Sequence, residues 1–122
     1  MSQTILCFHL SKDKDSGIAD ICRRFGIRQK RIALRDYGQK LGYLAGIQGF
    51  AREAGNYTKP ELQAEMLVFS GMDSEQVDTF IAAYKEAGLT PIGLKAIVTS
   101  HNIFWSAEQL YRELVQEHLS FL

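Results

Sequence analysis

The sequence predicts an α/β fold in which two βαβα repeats build one four-stranded sheet with helices on both faces. Three observations lead there. The runs TILCFHL (Thr4 to Leu10) and EMLVFSG (Glu65 to Gly71) are almost continuously apolar, as strands covered on both faces are. Each is followed by an apolar period of a helix. The stretches ILCFHLSKDKDSGIADICRRFGI and MLVFSGMDSEQVDTFIAAYKEAGL also align, with Gly26-Ile27 and Gly88-Leu89 falling in register.

Taken in order, the first run is a central strand. Ile18, Ile21, Cys22 and Phe25 then recur at i, i+3, i+4 and i+7, and Gly26 supplies a left-handed helix end. KRIALR (Lys30 to Arg35) reads as an edge strand because charge interrupts its apolar pattern. In DYGQKLGYLAG, Asp36 and Gln39 suit a capping box. Gly38, Gly42 and Gly46 recur every four residues, a stripe that on a helix clears room for a close neighbour, by packing more than by ligand approach. The stretch Gly46 to Gln63 is loop-like, longer than an ordinary connection, and reads as a partly ordered surface loop.

The second half repeats the plan. Glu65 to Gly71 is the other central strand, and Asp73 with Gln76 opens a helix carrying Val77, Phe80, Ile81 and Tyr84. IGLKAIVT (Ile92 to Thr99) is the second edge strand. Ser106 and Gln109 cap a last helix that turns Leu110, Tyr111 and Leu114 inward. The chain is thus expected to be a single domain over 1–122, with a pseudo-repeat over 1–48 and 64–122 joined by a linker over 49–63. Two sheets fit: a parallel one ordered 2-1-3-4, which is favoured, and a ferredoxin-like α+β sandwich.

Composition excludes several functions. Fourteen Lys plus Arg balance fourteen Asp plus Glu, so no net field steers a polyanion toward the molecule, and no nucleic-acid partner is expected despite the basic stretch RRFGIRQKR. Cys7 and Cys22 lack CxxC spacing, which fits reduced thiols in a cytoplasmic protein rather than a disulfide frame or a metal site. Ile5 to Leu10 is too short for a signal peptide core with its flanks, and no run spans a bilayer, so no membrane association is expected. His9 reads as a strand histidine and His118 as a cation suited to a helix end. No motif calls for a cofactor.

VTSHNIFW (Val98 to Trp105) joins the fourth strand to the last helix. Its plain reading is structural: Asn102 or Ser100 holds the turn, and Ile103 with Phe104 or Trp105 completes the core. A nucleophile and base at Ser100 and His101 is disfavoured, because neighbours in extended chain point to opposite faces and no GxSxG elbow is present. The succession EMLVFSGMDSEQVDTFIAAYKEAGL, PIGLKAIVTSHNIFW and SAEQLYRELVQEH resembles a family of small bacterial proteins described only as a domain of unknown function. The resemblance runs mainly over Glu65 to His118, and LGYLAG is similar to the companion region of longer members. It rests on Lys95, Thr99, Asn102, Trp105 and a Leu-rich helix ending near Glu117 and His118, and implies a bacterial cytosolic protein without assigning an activity.

The expected function is a non-catalytic module that binds a small molecule or a protein, possible as a homo-oligomer. Polar turns after the strands form its candidate surface: Ser11, Lys12, Ser70 and Asp73 after the central pair, Asp36, Tyr37, Thr99 and Asn102 after the edges. The candidate ligand-facing set is Asp36, Tyr37, Lys95, Thr99, Asn102 and Trp105, the last four singled out through the resemblance. The alternative is a small enzyme drawing an acid and a base from Lys95, His101 and Asp36.

Overall fold

A computed structural model describes residues 3–120; Met1, Ser2, Phe121 and Leu122 lie outside the described residues. The strands are β1 (Thr4–Phe8), β2 (Arg28–Arg31), β3 (Met66–Ser70) and β4 (Leu94–Ile97). The helices are α1 (Lys12–Phe25), the single-turn α2 (Leu41–Leu44), α3 (Ser74–Glu86) and α4 (Ala107–Ser120). The sheet order is β2-β1-β3-β4, as the apolar runs require. Within each unit the strands are parallel, but β1 and β3 pair antiparallel, Leu6 opposite Val68. The sheet is therefore mixed, and neither the all-parallel nor the ferredoxin-like arrangement is adopted. Two strand-helix-strand crossovers meet back to back, and the long linker lets the second enter reversed.

Alternation along the central strands divides the interior in two. Ile5, Cys7, Leu67 and Phe69 face α1 and α3, where they meet Ile18, Cys22, Phe80 and Tyr84. Leu6, Phe8, Met66 and Val68 face the opposite side, against Leu41, Leu44, Leu94 and Leu110. Both sheet faces are covered, which is why the runs lack polar positions. Each fully buried Phe or Ile contributes about 1.5–3 kcal/mol relative to exposure.

Several elements differ from expectation for identifiable reasons. Gly26 turns left-handed at φ 69° and α1 ends at once, so β2 starts at Arg28, two residues earlier than Lys30, and its paired residues are the charged RQKR. That suits an edge, because charge blunts an open strand. Phe25, the last apolar residue of α1, stays 36% exposed beneath the Arg24 guanidinium. Asp36 caps no helix: it ends a 3-10 turn, and α2 begins five residues later. Gln39 is buried and clamps the linker instead, its amide nitrogen donating to the Glu53 carbonyl and its oxygen accepting from the Glu53 N–H.

The glycine stripe does not lie on one helix. Gly46 ends the short α2 region with φ 75°, Gly38 precedes it in a turn, and Gly42 makes close contact with the Phe50 ring. A Cβ at Gly42 would lie 2.7 Å from three ring atoms. The linker is tied at further points, including Arg52 to Asp36, Lys40 to Glu53 and Lys59 to Glu108. It holds no helix around Phe50 to Ala54.

Candidate functional site

The turn residues nominated by the sequence have separate tasks. Asn102 is buried and closes its own loop: its oxygen accepts from the Thr99 N–H at 2.8 Å and its nitrogen donates to the Ile97 carbonyl at 3.0 Å. The Thr99 hydroxyl accepts from the N–H groups of His101 and Asn102. Trp105 packs on the α2/α4 face of the sheet with the His101 ring against it, whereas Phe104 stays 63% exposed beside Phe50. Lys95 donates to the Ile92 carbonyl, and Asp36 pairs with Arg52 at 2.8 Å.

The two equivalent turns meet as backbone. Lys40 and Ser106 form a bridge, the Leu41 N–H donates to the Trp105 carbonyl, and the Glu108 N–H donates to the Tyr37 carbonyl. Their side chains do not converge. Lys95, His101 and Asp36, the acid-base alternative, each engage a different neighbour. The antiparallel central pair also sends the carboxyl termini of β1 and β3 to opposite ends of the sheet, so Ser11 and Lys12 are separated from Ser70 and Asp73. The candidate surface expected from the polar turns is thus divided between two ends of the sheet.

Of the nominated residues, Lys12 and Tyr37 line one cleft. Beyond the carboxyl ends of β1 and β2, Cys7, His9, Lys12, Asp15, Arg31, Tyr37 and Glu61 help line a hollow of about 300 Å³. This is the usual place for a ligand beside a parallel strand pair. Tyr37 is 1% exposed, its ring between Phe8 and Tyr57, and its hydroxyl donates to the Glu61 carboxylate. Burial, reinforced by that carboxylate, pushes the phenol well above its ordinary range. Glu61 lies 3.7 Å from His9 Nδ1, and Arg31 Nε reaches both oxygens of Asp15 at 2.8 Å.

Larger hollows of about 420, 460 and 310 Å³ lie elsewhere. The first opens beside Met72, Asp73 and Phe80, where the Asp73 carboxylate is already occupied by the α3 capping box. The second shares His9 and Leu10 with the cleft, and its Glu65 is committed to Lys14 and to the Ser11 N–H. His9 thus stands between two hollows.

His9 is not within the strand, as its sequence position suggests, but just past it, exposed and with φ 60°. It is the one non-glycine residue with positive φ among the described residues. The matching position after β3 is Gly71, with φ 72°. The left-handed backbone costs a side-chain-bearing residue about 1–2 kcal/mol, which glycine avoids.

The two strand-helix-strand segments share a hydrogen-bond pattern, Ile32 N–H to the Cys7 carbonyl and Val98 N–H to the Phe69 carbonyl. Lys12 and Ser74 each begin a helix, and Arg31 and Ile97 each end an edge strand. In this register the second unit has Gly71 for His9, Ser74 for Lys12, Val77 for Asp15 and Ile97 for Arg31. The second segment thus keeps the same strand-helix-strand path without counterparts of His9, Lys12, Asp15 and Arg31.

His9 and Glu61 escape the sequence patterns because one depends on a backbone angle and the other on the path of the linker. The described residues include no cluster of three or more His, Cys, Asp or Glu placed to hold a metal, and no helix long and apolar enough to cross a membrane. Comparison with curated proteins and with solved structures finds no match. Residues 65–121, which carry β3, α3, β4 and α4, match the family model described as Domain of unknown function (DUF3783), in agreement with the resemblance over Glu65 to His118.

Proposed function

We propose that the chain is a non-catalytic binding module that holds a small polar ligand in the cleft at the carboxyl ends of β1 and β2. One observation carries the reading: His9, Lys12, Asp15 and Arg31 replace Gly71, Ser74, Val77 and Ile97 of an equivalent framework, so the fold does not require them. The dispersal of Lys95, His101 and Asp36 supports binding over catalysis. Buried, unpaired Cys7 and Cys22 support a cytoplasmic setting. Within the basic stretch, Arg23 pairs with Asp20, Arg31 with Asp15, and Lys30 donates to the Leu44 carbonyl, which supports a partner other than nucleic acid.

The test is a thermal-shift screen of a metabolite library against the wild-type chain and a variant carrying His9→Gly, Lys12→Ser, Asp15→Val and Arg31→Ile. These substitutions come from the second unit, so the variant is expected to fold. A ligand at a hundred times its dissociation constant stabilises by about 2.7 kcal/mol, and that shift is expected in the wild type and absent from the variant. If no compound separates the two proteins, the cleft is not a binding site.

A further inference from the structure

We infer that the ligand of this cleft is a small anion, a carboxylate or a phosphate, held by His9, Lys12 and Arg31, with His9 setting the specificity. The inference rests on the binding reading above and goes further by assigning the ligand's charge. It follows from which hydrogen-bonding groups around the cleft are already used.

The acceptors are engaged. Glu61 takes the Tyr37 hydroxyl and the Leu62 N–H. Asp15 takes Arg31 Nε on both oxygens and the Gln29 amide on Oδ1. The donors are not. The Lys12 ammonium, with three N–H groups, has no partner among the described residues. Arg31 uses Nε on Asp15 and Nη2 on Gln29, which leaves further guanidinium N–H groups. His9 Nδ1 lies 3.7 Å from Glu61, beyond hydrogen-bond distance, so its imidazole keeps an N–H to donate.

An anion would satisfy these groups without touching an internal pair, whereas a cation would have to share Glu61 with Tyr37 or Asp15 with Arg31. Lys12 and Arg31 balance Asp15 and Glu61 on the walls, and with Arg31 paired to Asp15 the Lys12 ammonium is the cation left to meet an anion. The hollow of about 300 Å³ suits a metabolite rather than a polymer. His9 carries a side chain on a left-handed backbone where Gly71, at φ 72°, shows that no side chain is needed, which marks that side chain as one kept for contact.

The experiment is a titration of the isotope-labelled chain, followed by amide NMR, with inorganic phosphate, with citrate and with the diamine putrescine as cationic control. Saturable shifts centred on His9, Lys12 and Arg31 are expected with one of the anions and not with putrescine. The anion that saturates identifies the source as phosphate or carboxylate. His9→Gly and Lys12→Ser should each weaken that binding at least tenfold, while His9→Gly raises the melting temperature of the ligand-free protein. Diffuse, unsaturable shifts with both anions, equal response to putrescine, or unchanged affinity in both variants would overturn the inference. A neutral or cationic compound found by the library screen and lost in the cleft variant would leave the binding module standing and remove only the anion.

Discussion

Asn102 replaces what would otherwise be a strand partner for the end of β4. It pairs one N–H and one carbonyl of its own loop while being 8% exposed, so removing its amide leaves two backbone groups without partners. Asn102→Ala is expected to lower stability by about 1–3 kcal/mol, read from the shift in urea midpoint. Gly42 is constrained differently. A methyl there meets three atoms of the Phe50 ring at 2.7 Å, and Gly42→Ala should cost about 1–3 kcal/mol. Adding Phe50→Leu should recover part of that loss, and strict additivity in the double mutant would show that the contact is not the cause. The sequence makes the small size at position 42 visible but not the ring that demands it. Tyr37 was legible as a cleft residue because it follows a strand. His9 was not, because nothing in a histidine's neighbours reports φ.

Glu65 anchors α1 from outside the helix. Its carboxylate accepts from the Ser11 N–H at 2.9 Å and pairs with Lys14, doing for α1 what Asp73 does within α3, while Ser11 makes no side-chain cap. Glu65→Ala is expected to destabilise the protein by about 1–2 kcal/mol. Hydrogen exchange should speed up in the first turn of α1 before the rest of the helix, and uniform acceleration would count against a capping role. The long helices were legible because Ile18, Ile21 and Cys22, and Val77, Phe80 and Tyr84, keep a strong period. The short helix after β2 was legible too, but not its start at Leu41, because Gln39 leaves the capping pattern to bind Glu53 and Gly46 ends the turn early. Strand order could be read from apolar run length. The direction of β3 could not, since an apolar run looks alike from either end and the linker can cross either way.

Both thiols belong to the dry α1/α3 layer, and burial pushes Cys7 from 9.0 to about 12 and Cys22 from 9.0 to about 11. In the unfolded chain these thiols ionise near 9.0, so the unfolded state loses its protons first as pH rises. Stability is expected to hold below about pH 9 and to fall between about pH 9 and 12. Urea midpoints at about pH 8 and about pH 10.5 should show a smaller decline for Cys7→Ala than for the wild type. An equal decline would place the alkaline sensitivity elsewhere. Native protein at about pH 8 should also resist thiol reagents, because the reactive thiolate is scarce and enclosed.

The antiparallel seam between β1 and β3 joins two units that each complete a parallel crossover of their own. Covalent continuity matters to that seam chiefly as a tether, which sets a local concentration on the order of millimolar. Separate fragments covering 1–55 and 56–122, divided at the exposed Gly55-Asn56 pair, should therefore find each other when mixed and rebuild one sheet, then part on dilution. Offered alone, the second fragment would present the uncovered flank of β3, and the most available complement for it is a twin of itself.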